Sequence, residues 1–107
     1  MTARITPPDS KVTLRLDVRG AFLRRTDLSH ANLKGANLSN ADFSNALLRG
    51  ADFQDAILDG TILKGADLTD AKNLEKNQLR KAVLDENTKL PANYSLAELL
   101  PERTDTI

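Results

Sequence analysis

Every fifth residue from Val18 to Leu68 is large and apolar. The column runs Val18, Leu23, Leu28, Leu33, Leu38, Phe43, Leu48, Phe53, Leu58, Leu63 and Leu68, eleven positions without a break. A spacing of five fits neither the 3.6-residue face of a helix nor the two-residue alternation of a strand. It fits a short extended segment closed by a tight turn and then repeated. Two flanking columns set the phase. Two residues before each centre stand Leu16, Ala21, Thr26, Ala31, Ala36, Ala41, Ala46, Ala51, Ala56, Thr61 and Ala66, mostly small side chains. Residues two apart on an extended segment point the same way, so small and large columns should share one interior. Two residues after each centre stand Gly20, Arg25, His30, Gly35, Asn40, Asn45, Gly50, Asp55, Gly60, Gly65 and Asp70. All five glycines of the chain fall in this column. Apart from Arg25, its other members are His, Asn and Asp, which tolerate positive φ, so the turn is expected there.

Between the small and large columns Asp27, Asn32, Asn37, Asp42, Asp52 and Asp67 are expected to face outward. Ala31-Asn32-Leu33, Ala36-Asn37-Leu38, Ala41-Asp42-Phe43, Ala51-Asp52-Phe53 and Ala66-Asp67-Leu68 resemble the pentapeptide-repeat family, whose motif is Ala-(Asp/Asn)-Leu-X-X. The resemblance covers about residues 16–72. It implies an all-β fold, a right-handed quadrilateral parallel β-helix in which four units close one square coil and residues twenty apart stack. The stacks would be Leu23/Phe43/Leu63, Leu28/Leu48/Leu68, Leu33/Phe53 and Val18/Leu38/Leu58. Just under three coils would rise roughly 13 Å at about 4.8 Å per layer.

A stack of coils has two ends that expose apolar side chains and strand edges, so the flanks are expected to cover them. Residues 1–10, with Pro7-Pro8, form a flexible lead in this reading. Val12, Leu14, Leu16 and Val18 alternate with polar residues, a strand that enters the first coil and places the solenoid at residues 11–72. The repeat fails at Asn73. Residues 73–101 read as a helical cap, with Leu79, Ala82 and Val83 on one helix face, Ala82-Val83-Leu84-Asp85 as a phase-shifted unit, and a capping box at Ser95-Leu96-Ala97-Glu98 stopped by Pro101. Residues 102–107 read as a disordered tail.

Catalysis has little to work with. His30 stands near Asp27 and Ser29, but a filled solenoid offers no oxyanion site and no pocket, so His30 is read as a turn residue. A lone histidine without cysteine makes no metal site, and the acidic residues lack the Gly-Gly-X-Gly-X-Asp pattern of calcium-binding solenoids. No enzyme activity and no cofactor are expected. The chain balances fifteen bases with fifteen acids, so neither nucleic acid nor a membrane surface is an expected partner. The absence of a secretion signal or an apolar span places the protein in the cytoplasm in this reading.

Two features suggest a protein partner. In the outward slot normally held by Asp or Asn stand Phe22, Leu47, Ile57 and Ile62. Phe22 and Ile62 should share a side, and Ile57 should lie one side earlier; outward apolar groups mark partner or self-association surfaces. Charge is also uneven. Residues 1–40 carry seven bases against three acids, and residues 41–70 carry two against six, which offers Arg15, Arg19, Arg24 and Arg25 as docking cations. The function expected is a non-catalytic interaction or scaffold module, with weak homo-oligomerisation left open. The alternative implied by the family is a duplex-DNA mimic acting on DNA gyrase. Residues 16–70 hold eight acids against six bases, far short of the roughly eight net negative charges that 13 Å of duplex would show.

Overall fold

The computed structural model describes residues 16–99. The expectations for Pro7-Pro8, Val12, Leu14, Arg15, Pro101 and the tail fall outside them. Within residues 16–72 the middle residue of each unit pairs in parallel with the residue twenty positions on, from Asp17 with Asn37 to Asp52 with Lys72. Four five-residue units therefore make one coil. The pairing follows from backbone geometry. Asn37 N–H donates to the Leu16 carbonyl at 2.8 Å, and Val18 N–H donates to the Asn37 carbonyl at 3.0 Å. Each coil is thus bonded to the one below, then offers its remaining groups to the one above.

At each corner the carbonyl of the centre residue accepts from the backbone N–H three residues on, as in Ala21 to Val18 at 3.0 Å and Ala41 to Leu38 at 3.0 Å. The second central residue of that turn has φ between 59° and 70° in all eleven units, Arg25 included. Positive φ at this one position defines a type II turn, and explains why Gly, Asn, Asp and His fill it. The corner N–H is used as well: His30 donates to Arg49 O at 2.7 Å in the next coil.

Corner side chains rise into the corner above. Asn40 Oδ1 lies 2.3 Å from where a Cβ on Gly60 would stand, and Asn45 Oδ1 2.2 Å from one on Gly65. His30 occupies the same position against Gly50. At these three places a side chain stands below a glycine because a Cβ above it would have no room; the corner of Arg25 and Asn45 carries two side chains in succession before Gly65.

The all-β expectation needs one correction. Among the described residues the β structure consists of isolated bridges rather than strands. The corner interrupts the extended segment after three residues, so each layer of each side is a single bridge wide. Eight centres, Leu33 to Leu68, are at most 3% exposed and pack with the Ala column into one core. Val18, Leu23 and Leu28 are only partly buried, since no described coil lies beneath them.

The C-terminal end is closed by two short helices and two further units. Helix α1 spans Lys76–Lys81 and helix α2 spans Leu96–Leu99. Leu79 and Leu74 of the cap are buried. Ala82 and Val83, expected on the helix face, follow α1 instead. Val83 pairs with Ile62 and stays 39% exposed, because it sits in the outward slot of a unit, Ala82-Val83-Leu84. Thr88-Lys89-Leu90 makes a second such unit, with Lys89 paired to Asp67. Their separations are 21 and 22 residues instead of twenty; the helix and the Asp85–Thr88 turn take up the surplus. The stack therefore enters a fourth layer on two sides. On a third side the Gln78 side chain stands in for a coil. Its Nε2 donates to the carbonyls of Phe53 and Ala56 at 2.8 and 2.9 Å, while its Oε1 accepts from Glu75 N–H. Thr88 Oγ1 donates to Leu63 O at 2.8 Å and Tyr94 Oη to Leu74 O at 2.7 Å. The Ser95 hydroxyl accepts from Ala97 N–H at 3.2 Å, and Lys76 meets Glu98 at 3.3 Å, which ties α2 to α1.

Candidate functional site

The outward slots form four columns, one per side. From the first layer upward they are Asp17, Asn37, Ile57; then Phe22, Asp42, Ile62, Val83; then Asp27, Leu47, Asp67, Lys89; then Asn32, Asp52, Lys72. The Asp and Asn members do more than meet water. Each accepts from the backbone N–H two residues on, an Asx turn that braces the corner. Ser44 N–H donates to Asp42 Oδ1 at 3.0 Å, Lys34 N–H to Asn32 Oδ1 at 3.1 Å, and Ser29 N–H to Asp27 Oδ1 at 3.0 Å. Where serine follows, its hydroxyl adds a second bond to the same oxygen, 2.6 Å from Ser44 Oγ to Asp42.

These bonds hold carboxylates in their charged form. The Ser44 hydroxyl, then its amide, lowers the Asp42 pKa below 3.8. Ser29 does the same for Asp27, and the Asn73 side-chain amide leads the lowering at Asp52. At Asp67 burial pushes upward most strongly, yet the Thr69 bonds and Arg49 together leave the group lowered. A carboxylate with a depressed folded pKa stabilises the fold above its unfolded value and loses that contribution as pH falls through the folded one. The thermal midpoint is therefore expected to hold from neutral pH down to about 5 and to drop below about 4. The double variant Asp42→Asn, Asp52→Asn should flatten the drop while keeping the turns, since Asn32 and Asn37 already make the same bond. Thermal melts from pH 7 to 3 decide it; an unchanged acid slope in the variant would remove these carboxylates from the explanation.

The five units with an apolar outward residue, those of Phe22, Leu47, Ile57, Ile62 and Val83, lack that brace. Phe22 is 84% exposed, Ile57 42% and Leu47 41%. They lie on three different sides, so they do not meet in one patch. Ile62, expected to be outward and free, is only partly exposed, because Val83 lies one layer above it and Asp42 one below. The docking arginines divide likewise. Arg15 is outside the described residues. Arg19 closes on Asp17 at 2.8 Å, and Arg24 lies 3.8 Å from Asp42 in the layer above. Arg25 is exposed at its corner. Lys34–Asp52 and Arg49–Asp67 repeat the upward pairing of Arg24 at 3.8 and 3.2 Å. This distributes the uneven charge as base-below-acid pairs, a relation invisible without the twenty-residue coil. His30 rests against Gly50, and Asp27 is engaged by the Ser29 amide.

The model of pentapeptide repeats matches eight copies over residues 16–45, 36–72 and 46–85. The chain belongs to the pentapeptide repeat family. Among solved structures it is similar to the pentapeptide repeat protein Rfr23 from the cyanobacterium Cyanothece 51142, at 29% identity and a TM-score of 0.54, over 69% of this chain and 53% of that one. It is also similar to a pentapeptide repeat protein from Nostoc PCC 7120, at 30% identity and a TM-score of 0.32, over 79% and 82% of the two chains. A third, from the Arabidopsis thaliana thylakoid lumen, shares 27% identity at a TM-score of 0.34, over 71% of this chain and 57% of that one. This chain thus spans only about half the length of the Cyanothece pentapeptide repeat protein. No curated protein matches it. Among the described residues no helix is long and apolar enough to cross a membrane.

Proposed function

We propose that this pentapeptide repeat protein is a non-catalytic protein-interaction or scaffold module, a right-handed quadrilateral β-helix that presents its flat sides to a protein partner in the cytoplasm. The observation that carries this reading is Phe22. It stands 84% exposed in a slot where Asp or Asn would brace the following turn. A unit that gives up that hydrogen bond for an aromatic ring in water carries a cost to the isolated chain, and aromatic rings in such positions serve as anchors at interfaces. The acids that a duplex mimic would display are neutralised from below: Asp42, Asp52 and Asp67 each lie within 4 Å of Arg24, Lys34 or Arg49.

Affinity capture with the wild-type chain, followed by identification of the retained proteins, tests the reading against Phe22→Asp. The substitution places a carboxylate where neighbouring units already hold one, so the circular dichroism spectrum and thermal melt should be unchanged while capture is lost. Capture that survives Phe22→Asp would discard this surface.

A further inference from the structure

We propose that a second copy of this chain is a partner, docking through an aromatic knob on one side of the solenoid and an apolar groove on the adjacent side. This rests on the interaction reading above and names its occupant. The knob is Phe22, flanked by Arg19 at the preceding corner and by Arg24 and Arg25 at the following one. The groove runs between the third coil and α1, with a cavity of about 310 Å³. Ile57 and Leu58 line its coil side, and Asn77 and Lys81 its helix side. Ile57 is 42% exposed. The volume is at the lower end of those that enclose small ligands, suited to one ring rather than a larger group.

Charge makes the two units complementary. Around Phe22 the order is base, apolar, base, from Arg19 to Arg24-Arg25; around Ile57 it is acid, apolar, acid, from Asp55 to Asp59. Asp55 and Asp59 are exposed, with no ion pair among the described residues. Arg25 is exposed and likewise unpaired among them, whereas Arg24 already leans on Asp42 at 3.8 Å and Arg19 is closed on Asp17 at 2.8 Å, which leaves Arg25 as the free cation beside the knob. Seating Phe22 of one copy over Ile57 of another brings these opposite charges to the rim of the contact, where they set orientation and encounter rate more than affinity. Lys81 on the helix rim is the one cation among the groove residues. Knob and groove are different surfaces, so the contact is heterologous. Every copy carries both halves, and association continues head to tail with concentration.

Sedimentation equilibrium of the full chain tests this with two variants. Phe22→Asp removes the knob and keeps the groove; Ile57→Lys spoils the groove and keeps the knob. Each alone should weaken association roughly thirtyfold or more, as loss of an aromatic anchor or its seat does. An equimolar mixture regenerates one intact contact and no second one, so it should form dimers and nothing larger. Thermal melts establish that both variants are folded. A wild-type chain that stays monomeric at every concentration, or a mixture that stays monomeric, overturns the proposal. Should that monomer still capture another protein through Phe22, the interaction reading stands and only the second copy is excluded; loss of both ends both.

Discussion

Phe43→Ala is expected to lower the unfolding free energy by about 3–5 kcal/mol, the range for deleting a buried aromatic ring. Phe43 is 1% exposed and lies in the middle layer, between Leu23 below and Leu63 above. The backbone around it cannot close on the space left. Phe43 N–H bonds upward to Ile62 O at 2.8 Å, while Asp42 N–H bonds downward to Ala21 O at 2.8 Å. Those bonds fix the layer spacing regardless of the side chain, so the cavity persists and its cost is near the upper end. Asn45→Ala is the comparison. Asn45 is an exposed corner residue with φ of 59°, and placing Ala there costs about 1–2 kcal/mol for the left-handed backbone. Urea unfolding followed by circular dichroism measures both. Equal losses would contradict the division into interior and corner columns. In a stack that holds each layer through its neighbours, the Phe43 cavity should weaken the whole solenoid rather than one coil.

Gly60→Ala is the second large effect. The residue has φ of +69°, and a Cβ there would lie 2.3 Å from Asn40 Oδ1. The backbone component costs roughly 1–3 kcal/mol, and the Asn40 amide must also leave its position in the corner. Gly20→Ala isolates the backbone component, because Gly20 has the same φ of +69° and no described atom within 4 Å of the added Cβ. Gly60→Ala should therefore be the more damaging of the two. Combining Gly60→Ala with Asn40→Gly should recover the difference between them, leaving the pair non-additive as expected of side chains in contact. Additive losses in the double variant would show that the corner side chains do not pack on the glycines above.

The interior and the corners were legible in the sequence because each makes a single demand on side-chain type. A centre must be large and apolar, which the run from Val18 to Leu68 shows directly. A corner must accept positive φ, which restricts it mostly to Gly, Asn, Asp and His. The side assignments came with the four-unit coil that the family resemblance implies: Phe22 and Ile62 do share a column, with Ile57 one side earlier. What escaped depended on relations between layers. The Asp-to-base pairs connect residues eighteen apart, as in Arg24 with Asp42; a twenty-residue coil puts such residues in adjacent layers, but only the upward direction of the corner side chain makes them meet. Thr88-Lys89-Leu90 has the small-polar-large order of a unit, and that order was the available signal. Its centre, however, lies six residues beyond Leu84, so a strict five-residue count misses it. Gln78 carried no signal at all. An exposed-looking amide on a short helix serves as the missing rung for Phe53 and Ala56 only because the chain returns to that spot. The separation of the outward apolar residues onto three sides follows from the same fourfold count, which is why they form individual anchors and no broad patch.

The corner pairing of Asn40 with Gly60, and the cap that begins one side beyond the last full unit, make length in this protein a quantised variable. Inserting a single pentapeptide would carry α1 a quarter-turn around the axis, away from the carbonyls its glutamine satisfies, and would set the wrong side chains against the wrong glycines. Growth or shrinkage by twenty residues leaves every such relation intact, so duplication of whole turns is the step that lets a molecule of this kind lengthen without redesigning its end.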